Sequence, residues 1–215
     1  MTGTKPILYD YFRSSAAYRV RIGLNLKGVD YERRTISLID GEQKGEAYRT
    51  LNPQGLIPAL KVEGHPLMTQ SLAILDWLDA TYEQNPFLPG DKDARAHVLA
   101  MATLIACDIH PLNNLRVLKY LKGPLGCDED AKDEWYRHWI AEGFAALETI
   151  AKPHSGAYLY GDKPTLADIC LVPQLYNARR FSVSVADYPT LRRADETASG
   201  NHAFADAHPD LQEAQ

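Results

Sequence analysis

Two adjacent serines, Ser14 and Ser15, stand where a short aromatic run gives way to a helical pattern, in YFRSSAAYRVRIGLNLKG. Hydroxyl groups at a strand-to-helix turn suggest chemistry, because the positive end of a helix dipole lies there. No cysteine or histidine stands beside the serines to activate them as nucleophiles. Serine is also a common helix N-cap, which is the non-catalytic interpretation of the pair. We therefore expect any nucleophile at this turn to come from elsewhere.

The residues around the serine pair predict a β-α-β unit. ILYDYF is apolar enough for a buried parallel strand, and DYERRTISL is the candidate for a second strand. The helix between them carries Val20, Leu24 and Lys27 on one stripe. Arg19 and Arg21 are expected to line the exterior of this helix or to form ion pairs.

The next fifty residues complete a small α/β domain. LNPQGLIPALKV leads into EGHPLMTQ, where a Glu-Gly turn between short apolar runs predicts a β-hairpin. In QSLAILDWLDATY, apolar side chains at i, i+3, i+4 and i+8 predict an amphipathic helix. These side chains are Ile74, Trp77, Leu78 and Tyr82. The predicted order between Ile7 and Tyr82 is therefore β-α-β-loop-β-β-α.

Beyond the Pro/Gly/Asp connector EQNPFLPGDKD, the patterns are helical. One runs from Asp93 to about Leu121 with Pro111 inside it, where a kink or break is expected because proline lacks a backbone donor. Another, EWYRHWIAEGFAALETIAK, has one apolar stripe. Its members are Ile140, Phe144, Leu147 and Ala151. Thr165 and Asp168 resemble a capping box with Asp in place of Glu. The last twenty or so residues are expected to fray.

The composition is that of an ordinary globular protein, since 215 residues with 45% hydrophobic content suffice for one large or two small domains. A net charge of −5 and a pI near 5.8 argue against general nucleic-acid or membrane-surface binding. The cysteines, Cys107, Cys127 and Cys170, lack disulfide-framework or metal-ligand spacing, which favours the cytoplasm and no metal. The N-terminus lacks a signal-peptide core, and no segment approaches the roughly 18 apolar residues that cross a bilayer.

Five motifs resemble the zeta class of glutathione transferases, particularly bacterial maleylacetoacetate and maleylpyruvate isomerases. They are SSAAYRVRIGLNLKG, LNPQGLIPAL, QSLAILDWL, CDIHPLNNLRVLKYL and TLADICLVPQLYNARRF, in a likeness that runs from about Lys5 to Arg193. The resemblance implies an α/β plus all-α architecture, the glutathione transferase fold. A thioredoxin-like, glutathione-binding domain is expected at residues 5–83 and an all-helical, substrate-side domain at 92–211. It also implies a homodimer.

One position departs from the family pattern, because many zeta members read S-S-C at the turn and this chain has Ala16 in place of the cysteine. The resemblance therefore implies that the nucleophile is the sulfur of bound glutathione. Ser14 is expected to donate a hydrogen bond to this sulfur, with Ser15 beside it at the helix start. A hydroxyl donor and the helix dipole, at ~1 kcal/mol each, would lower the thiol pKa by roughly 1.5 units from about 8.5.

The resemblance also implies where the rest of glutathione binds. Pro58 in GLIPAL matches the usual cis proline of the fold, so that Ile57 can pair with the cysteinyl backbone as a strand would. Gln70 and Ser71 precede a helix, whose N-terminus suits the γ-glutamyl carboxylate. Gln43 aligns with a contact to the glycyl end.

In the helical half, His110 and Asn114 are four residues apart and are expected on one face, where the resemblance makes them candidate glutathione-site residues. The substrate carries two carboxylates and a developing enolate, and guanidinium groups suit both. The candidates are Arg13, Arg116 and Arg180. Arg13, beside the serines, is also assigned a catalytic role with them. Each arginine is, by default, a solvated surface residue.

The activity implied is glutathione-dependent cis-trans isomerisation of maleylacetoacetate to fumarylacetoacetate, in tyrosine or other aromatic breakdown, by reversible thiolate addition to the cis double bond. Three alternatives stay open. They are maleylpyruvate isomerisation in gentisate breakdown, a conjugating or dehalogenating transferase, and a non-catalytic binding protein with this fold. The stoichiometry of glutathione separates an isomerase from a transferase, because transfer consumes one glutathione per product, whereas isomerisation regenerates it.

Overall fold

The computed structural model describes residues 4–212, which divide into two compact units. The first unit comprises residues 4–86 together with 201–212, and the second is Phe87–Gly200. The division falls within the predicted connector. Residues 201–211 belong to the first unit, however, whereas the predicted second domain, 92–211, includes them.

The first unit has the predicted α/β order with one additional helix. Its strands are β1 (Ile7–Asp10), β2 (Glu32–Thr35), β3 (Ala59–Lys61) and β4 (Met68–Thr69). Its helices are α1 (Ser15–Leu26), α2 (Glu46–Leu51) and α3 (Ser71–Thr81), with a 3-10 turn at Glu42–Lys44. The sequence pattern predicts a loop over residues 42–51, because so short a segment gives little periodicity to detect.

The sheet order is β2-β1-β3-β4, in which β1 and β2 are parallel and the other two pairs are antiparallel. This confirms both the β-α-β unit and the hairpin. In register, Tyr9 lies opposite Ala59, and Ala59 lies opposite Thr69. The end of β1, the start of β3 and the end of β4 therefore meet at one edge. The turns that follow β1 and β4, and the loop that precedes β3, converge there.

Helix α1 is buried on nearly every side, including its basic residues. Arg21 forms an ion pair with the buried Asp10, which agrees with the expectation that these arginines form ion pairs. Neither Arg19 nor Arg21 lines the exterior of the helix, however, because both are buried. Lys27, on the predicted apolar stripe, is also buried and pairs with Asp79 at 2.7 Å. The exterior prediction was wrong because the partners of these cations come from other segments of the chain.

The C-terminal segment of the described chain is packed rather than frayed, which corrects the sequence expectation. Helix α10 (His202–Ala205) buries Phe204, and Ala207 is also fully buried. The amide of Asn25 in α1 donates to the Ala203 carbonyl at 3.0 Å. The small and polar composition suggested fraying, but one buried aromatic side chain and this hydrogen bond hold the segment against α1.

The second unit is helical, apart from an isolated bridge between Ser155 and Gly161 in its described residues. Its helices are α4 (Lys92–Thr103), α5 (His110–Leu112), α6 (Leu115–Lys122), α7 (Glu129–Ala151), α8 (Leu166–Arg180) and α9 (Pro189–Ser199). The predicted stripe of α7, including Ile140 and Phe144, is fully buried. The capping box of Thr165 and Asp168 is present at the start of α8.

The long helical pattern breaks just after Pro111, rather than at it. A π-helical segment, Leu104–Ile109, follows α4 directly, and Pro111 stands in the short α5. Asn113 then ends α5, and Asn114 has an extended backbone that starts α6. A proline is tolerated in the first turn of a helix, where its missing N–H is not needed, so the break falls a few residues later.

By length and composition alone, the helical stretch Lys92–Lys122 could cross a membrane, which the sequence analysis did not expect. This is weak support for a span, since core helices of soluble proteins pass the same test, and this stretch is interrupted at Asn113. All three cysteines lie in the described chain, and none forms a disulfide. Among residues 4–212, no cluster of three or more His, Cys, Asp or Glu side chains is placed to hold a metal ion.

Candidate functional site

Ser14 is the N-cap of α1, and Ser15 is the first residue of that helix. The Ser14 hydroxyl oxygen accepts the N–H of Ala17 at 3.3 Å, while Ser15 is buried. A hydroxyl that accepts one hydrogen bond still has its own proton to donate. Capping and donation to a ligand are therefore compatible in one residue, and the positive end of α1 adds to the field at this position.

The turn that presents Ser14 is fixed by hydrogen bonds. The Ser14 N–H donates to the Tyr11 carbonyl at 2.8 Å, and the Ser14 carbonyl accepts from Tyr18 N–H at 2.8 Å. Arg13, in the middle of the turn, is exposed, and its guanidinium carbon lies 4.7 Å from the centroid of the Phe12 ring. The Arg13 side chain thus lies at the surface beside the serine turn.

The peptide bond between Ile57 and Pro58 is cis. Pro58 directly precedes β3, and Ile57 packs against the apolar cluster that contains Tyr9 and Tyr48. Within the described chain, the Ile57 main chain makes no hydrogen bond. Its amide and carbonyl can therefore pair with an extended peptide at this edge of the sheet.

Gln70 and Ser71 lie at the start of α3, at the same edge. Gln70 has a positive φ of 68°, an uncommon conformation for a residue other than glycine. Its side chain donates to the Gln54 side chain at 2.9 Å. The buried Ser71 hydroxyl accepts from Arg19 Nη1 at 3.4 Å. A helix N-terminus with a buried guanidinium beneath it suits a carboxylate ligand.

Gln43 is buried in the 3-10 turn, next to the loop that leads to Pro58. Gly55 has a φ of +61°, and an added Cβ there would lie 2.7 Å from the Gln43 carbonyl oxygen, so the two segments approach closely. The side-chain oxygen of Gln43 is buried and has no hydrogen-bond partner in the described structure. A buried acceptor left unpaired costs about 1–3 kcal/mol, so an N–H from a ligand would be favourable there.

In the helical unit, Asn114 and His110 do not share a continuous helix as predicted. His110 is half-buried in α5, and Asn114 caps α6 by accepting the Arg116 N–H at 3.1 Å. The i, i+4 geometry is lost because the extended backbone of Asn114 separates the two helices. The Arg116 side chain is exposed at the start of α6.

Arg180 is exposed at the end of α8, with its guanidinium carbon 5.9 Å from the centroids of the Tyr176 and Phe181 rings. Phe181 stacks on Tyr136 at 3.6 Å between centroids. Burial raises the pKa of Tyr136, and the charge of Arg180 opposes that rise. The side-chain amide of Asn113 donates to the Tyr136 carbonyl at 3.1 Å, so Tyr136 borders both the α5–α6 break and the Arg180 end of α8.

Several buried residues that hold the predicted site in place were not predicted from the sequence pattern. Asp10, Arg19 and Arg21 are buried polar residues of the first unit, and burial lowers the pKa of Arg21 while Asp10 opposes the shift. Burial raises the pKa of Tyr31 beside them to about 12. The available signal was the pair of arginines on an otherwise apolar helix, since a cation on a buried face requires an acid or carbonyl partner.

Taken residue by residue, the first unit gathers the loops bearing Ser14, Ile57, Pro58 and Gln70 at one edge of the sheet, with Gln43 beside them. That edge offers a hydroxyl at a helix N-terminus, a main chain able to pair with a peptide, and a second helix N-terminus for a carboxylate. The arrangement suits a short, acidic peptide. It supplies no thiol of its own at position 16.

Comparisons with known proteins agree with these features. Residues 13–81 match the family model of the glutathione S-transferase N-terminal domain, and residues 130–213 match that of the C-terminal domain. A probable maleylacetoacetate isomerase from Vibrio cholerae is 47% identical over 208 residues, which cover 96% of each chain.

Solved structures give the same result. A holo structure of maleylpyruvate isomerase, described as a bacterial glutathione S-transferase in the zeta class, matches with a TM-score of 0.94 and 44% identity over 97% of this chain and 99% of its own. The maleylacetoacetate isomerase of Anaeromyxobacter dehalogenans 2CP-1 has been solved with glutathione in the active site, at a TM-score of 0.89 and 44% identity over 98% and 97% of the chains. It has also been solved with dicarboxyethyl glutathione and citrate there, at a TM-score of 0.88 and 43% identity over 98% and 97%.

Proposed function

Because this chain belongs to the glutathione S-transferase family, in its zeta class, we propose that it is a glutathione-dependent cis-trans isomerase of maleyl dicarboxylates. Maleylacetoacetate, converted to fumarylacetoacetate in aromatic breakdown, is the leading substrate. Maleylpyruvate is the second, since a relative of that name is 44% identical over almost its whole length.

The observation that carries this proposal is the Ser14 turn. Its hydroxyl oxygen accepts the Ala17 N–H at the N-terminus of α1, and its hydroxyl donates no hydrogen bond to another described residue. With alanine at position 16, the turn can stabilise a thiolate but cannot provide one. This is what an enzyme needs if the sulfur arrives with a cofactor.

The described residues of the first unit fit glutathione along its length. The N-terminus of α3, with Ser71 and the buried Arg19, suits the γ-glutamyl carboxylate. The main chain of Ile57 suits the cysteinyl backbone, and the unpaired oxygen of Gln43 suits an N–H at the glycyl end. We also assign Gln70 and Pro58 to this site, with His110 and Asn114 as contributors from the helical unit.

When bound, glutathione supplies a thiolate that adds to the cis double bond, permits rotation about the resulting single bond and is expelled from the trans product, so that it is regenerated. Ser14 holds the sulfur in its ionised form by donating a hydrogen bond, and Ser15 holds the helix start. Arg13, Arg116 and Arg180 are the positive charges assigned to the substrate carboxylates and to the enolate charge. No proton or electron is gained or lost overall.

The dicarboxyethyl glutathione found in the Anaeromyxobacter relative supports the addition chemistry. Its composition equals glutathione plus a four-carbon butenedioic acid, joined through single bonds where the acid had a double bond. A site that accepts such a compound accepts what thiol addition to a maleyl group produces.

The proposal is tested by following the ultraviolet change of maleylacetone and of maleylpyruvate in parallel, with glutathione far below stoichiometric amounts. We expect many turnovers per glutathione on at least one substrate, and the faster one identifies the physiological class. Consumption of one glutathione per product would indicate a conjugating or dehalogenating transferase instead. Glutathione binding without reaction on any electrophile would indicate a binding protein.

We further propose that the protein is a cytoplasmic homodimer. The three cysteines outside any disulfide are in keeping with a reducing compartment, and none of the described structure requires an oxidising one. The molar mass in solution, measured by light scattering, is expected to be twice the 24.0 kDa of one chain. A mass of one chain at assay concentration would contradict the dimer.

A further inference from the structure

Arg21 lies at the centre of a buried junction in the first unit. Its side chain is 0% exposed, and its guanidinium donates to the Asp10 carboxylate at 2.7 Å, the Phe12 carbonyl at 3.0 Å and the Ala207 carbonyl at 3.1 Å. These partners belong to the end of β1, the turn that leads to Ser14, and the C-terminal segment. The five N–H donors of a planar guanidinium can form hydrogen bonds to partners in three different directions at once.

Phe12 is the residue through which this junction reaches the serine turn. The hydrogen bond from Ser14 N–H to the Tyr11 carbonyl closes a turn over residues 11–14, with Phe12 in its middle. Because Arg21 fixes the Phe12 carbonyl, it limits rotation of the peptide group that follows. The position of Ser14, two residues on, therefore depends on the contact from Arg21.

A second contact connects Arg21 to the same turn. The Tyr18 ring centroid lies 5.2 Å from the guanidinium carbon of Arg21, and Tyr18 N–H donates to the Ser14 carbonyl. Asp10, which holds Arg21, is itself held by Arg33 through its other oxygen at 2.8 Å. The junction is therefore rigid on the side away from the turn, which lets it fix the turn.

We propose that Arg21 is a positioning residue for catalysis: it holds the turn of residues 11–14 so that the Ser14 hydroxyl meets the sulfur of glutathione. Through Ala207, the same side chain makes that geometry depend on the C-terminal segment. The inference rests on the proposed function, because it concerns the thiolate that the isomerase uses.

Lys27 provides a matched control on the same helix. It too is a buried cation paired with one acid, Asp79, and it donates to the carbonyls of Tyr82, Gln84 and Asn85. Thirteen residues separate it from Ser14, which is about 20 Å along a helix. Its loss should therefore destabilise the first unit without moving the serine turn.

The test compares Arg21→Lys, Arg21→Met and Lys27→Met in the full chain. Three quantities are measured: the pKa of the glutathione thiol in the complex, from thiolate absorbance against pH; the kcat and KM for the maleyl substrate; and the urea midpoint of unfolding. Arg21→Lys keeps a charge near Asp10, but one ammonium nitrogen cannot occupy the positions of Nε, Nη1 and Nη2, from which Arg21 reaches Ala207, Asp10 and Phe12. We expect both Arg21 variants to raise the thiol pKa by about one unit, a tenfold change in ionisation.

The kinetic constants of the Arg21 variants should reflect the change in the thiol pKa. For the Arg21 variants, kcat should fall by about tenfold or more, as a small misplacement of a reacting group does, while KM stays within about twofold. Lys27→Met should lower the urea midpoint with thiol pKa and kcat near wild type. If Arg21→Met does not fold, Arg21→Lys decides the question.

Three outcomes would overturn the inference. They are a wild-type thiol pKa and kcat in folded Arg21→Lys, an equal shift of the thiol pKa in Lys27→Met, and a failure of Arg21→Lys to fold, which would make the role purely structural. A wild type that binds glutathione without lowering its thiol pKa would also overturn it. Failure of the proposed isomerase function is distinguishable, because the thiol titration needs no maleyl substrate.

Discussion

At the scale of single residues, the proposed function gives one serine two purposes. Ser14 caps α1 through its hydroxyl oxygen, and we propose that its hydroxyl proton is donated to the sulfur of glutathione. What the sequence could not indicate is which serine faces outward. Ser15 is buried as the first helical residue, whereas Ser14 is only half-buried, because the extended backbone of the cap turns it away from the helix.

Substitution of Ser14 tests the thiolate role apart from the cap. Ser14→Ala should lower kcat on the order of 100-fold, the usual loss for one donor to a developing or stabilised anion, and reduce stability by about 1 kcal/mol. Ser14→Gly should recover most of that stability, because glycine caps well, but none of the activity. Turnover and urea unfolding are measured on both variants.

Ser14→Thr is the positive control, since it keeps the hydroxyl and the cap. It should retain a substantial part of the activity of the wild type. Wild-type turnover in Ser14→Gly would remove the hydroxyl from the mechanism and return Ser14 to a purely structural role.

At the scale of elements, local signals in the sequence predicted helix starts well. The capping box at α8 was read from Thr165 and Asp168, three residues apart, and the structure confirms it. The Asp168 carboxylate accepts from Thr165 N–H, Thr165 hydroxyl and Leu159 N–H, each at 2.8 Å. The bond from Leu159 joins the preceding loop to the helix, which the sequence pattern did not indicate.

Asp168 also predicts a pH dependence of stability. Burial raises its pKa from 3.8 to about 6, against the effect of its hydrogen bonds. Between these values the folded protein holds the proton while the unfolded chain has released it. The contribution of Asp168 to stability is therefore largest below about pH 4, falls as the pH rises to about 6, and is constant above that.

The comparison that isolates this effect is wild type against Asp168→Asn, which cannot titrate. The free energy of unfolding of each is measured in urea at steps from pH 4 to pH 7. The advantage of the wild type over the variant should shrink through this interval. An advantage that grows with pH would mean that the three hydrogen bonds outweigh burial and hold the pKa below its usual value.

At the scale of the whole molecule, the course of the chain differs from the sequence prediction in one respect. The chain forms the α/β part, then the helical part, and then returns, so that residues 201–212 complete the first unit. The return is stabilised by the buried Phe204 and by carbonyls that accept from Asn25 and Arg21 of α1. Deletions near the C-terminus should therefore affect the unit to which we assign glutathione binding.

Phe204→Ala measures how much the packing of residues 201–212 contributes to the stability of the first unit. Loss of a fully buried phenylalanine costs about 3–5 kcal/mol, so the urea midpoint of unfolding should drop strongly. Phe204→Leu, which keeps most of the volume, should cost far less. A change below about 0.5 kcal/mol in Phe204→Ala would mean that the segment is a loose appendage, as its composition first suggested.

The sequence by itself determined most of the order of strands and helices, with α2 and α10 as exceptions, and the caps of α1 and α8, because these depend on periodicity and on neighbours within a few residues. It also indicated the family, through the resemblance of five motifs. The tertiary structure alone decided the burial of Arg19, Arg21 and Lys27, the cis bond before Pro58 and the return of the C-terminal segment. The physical reason is the distance along the chain between partners: Arg21 and Ala207 are 186 residues apart, and Lys27 and Asp79 are 52 apart. A buried charge is stabilised only by groups that folding brings to it, and no local pattern records them.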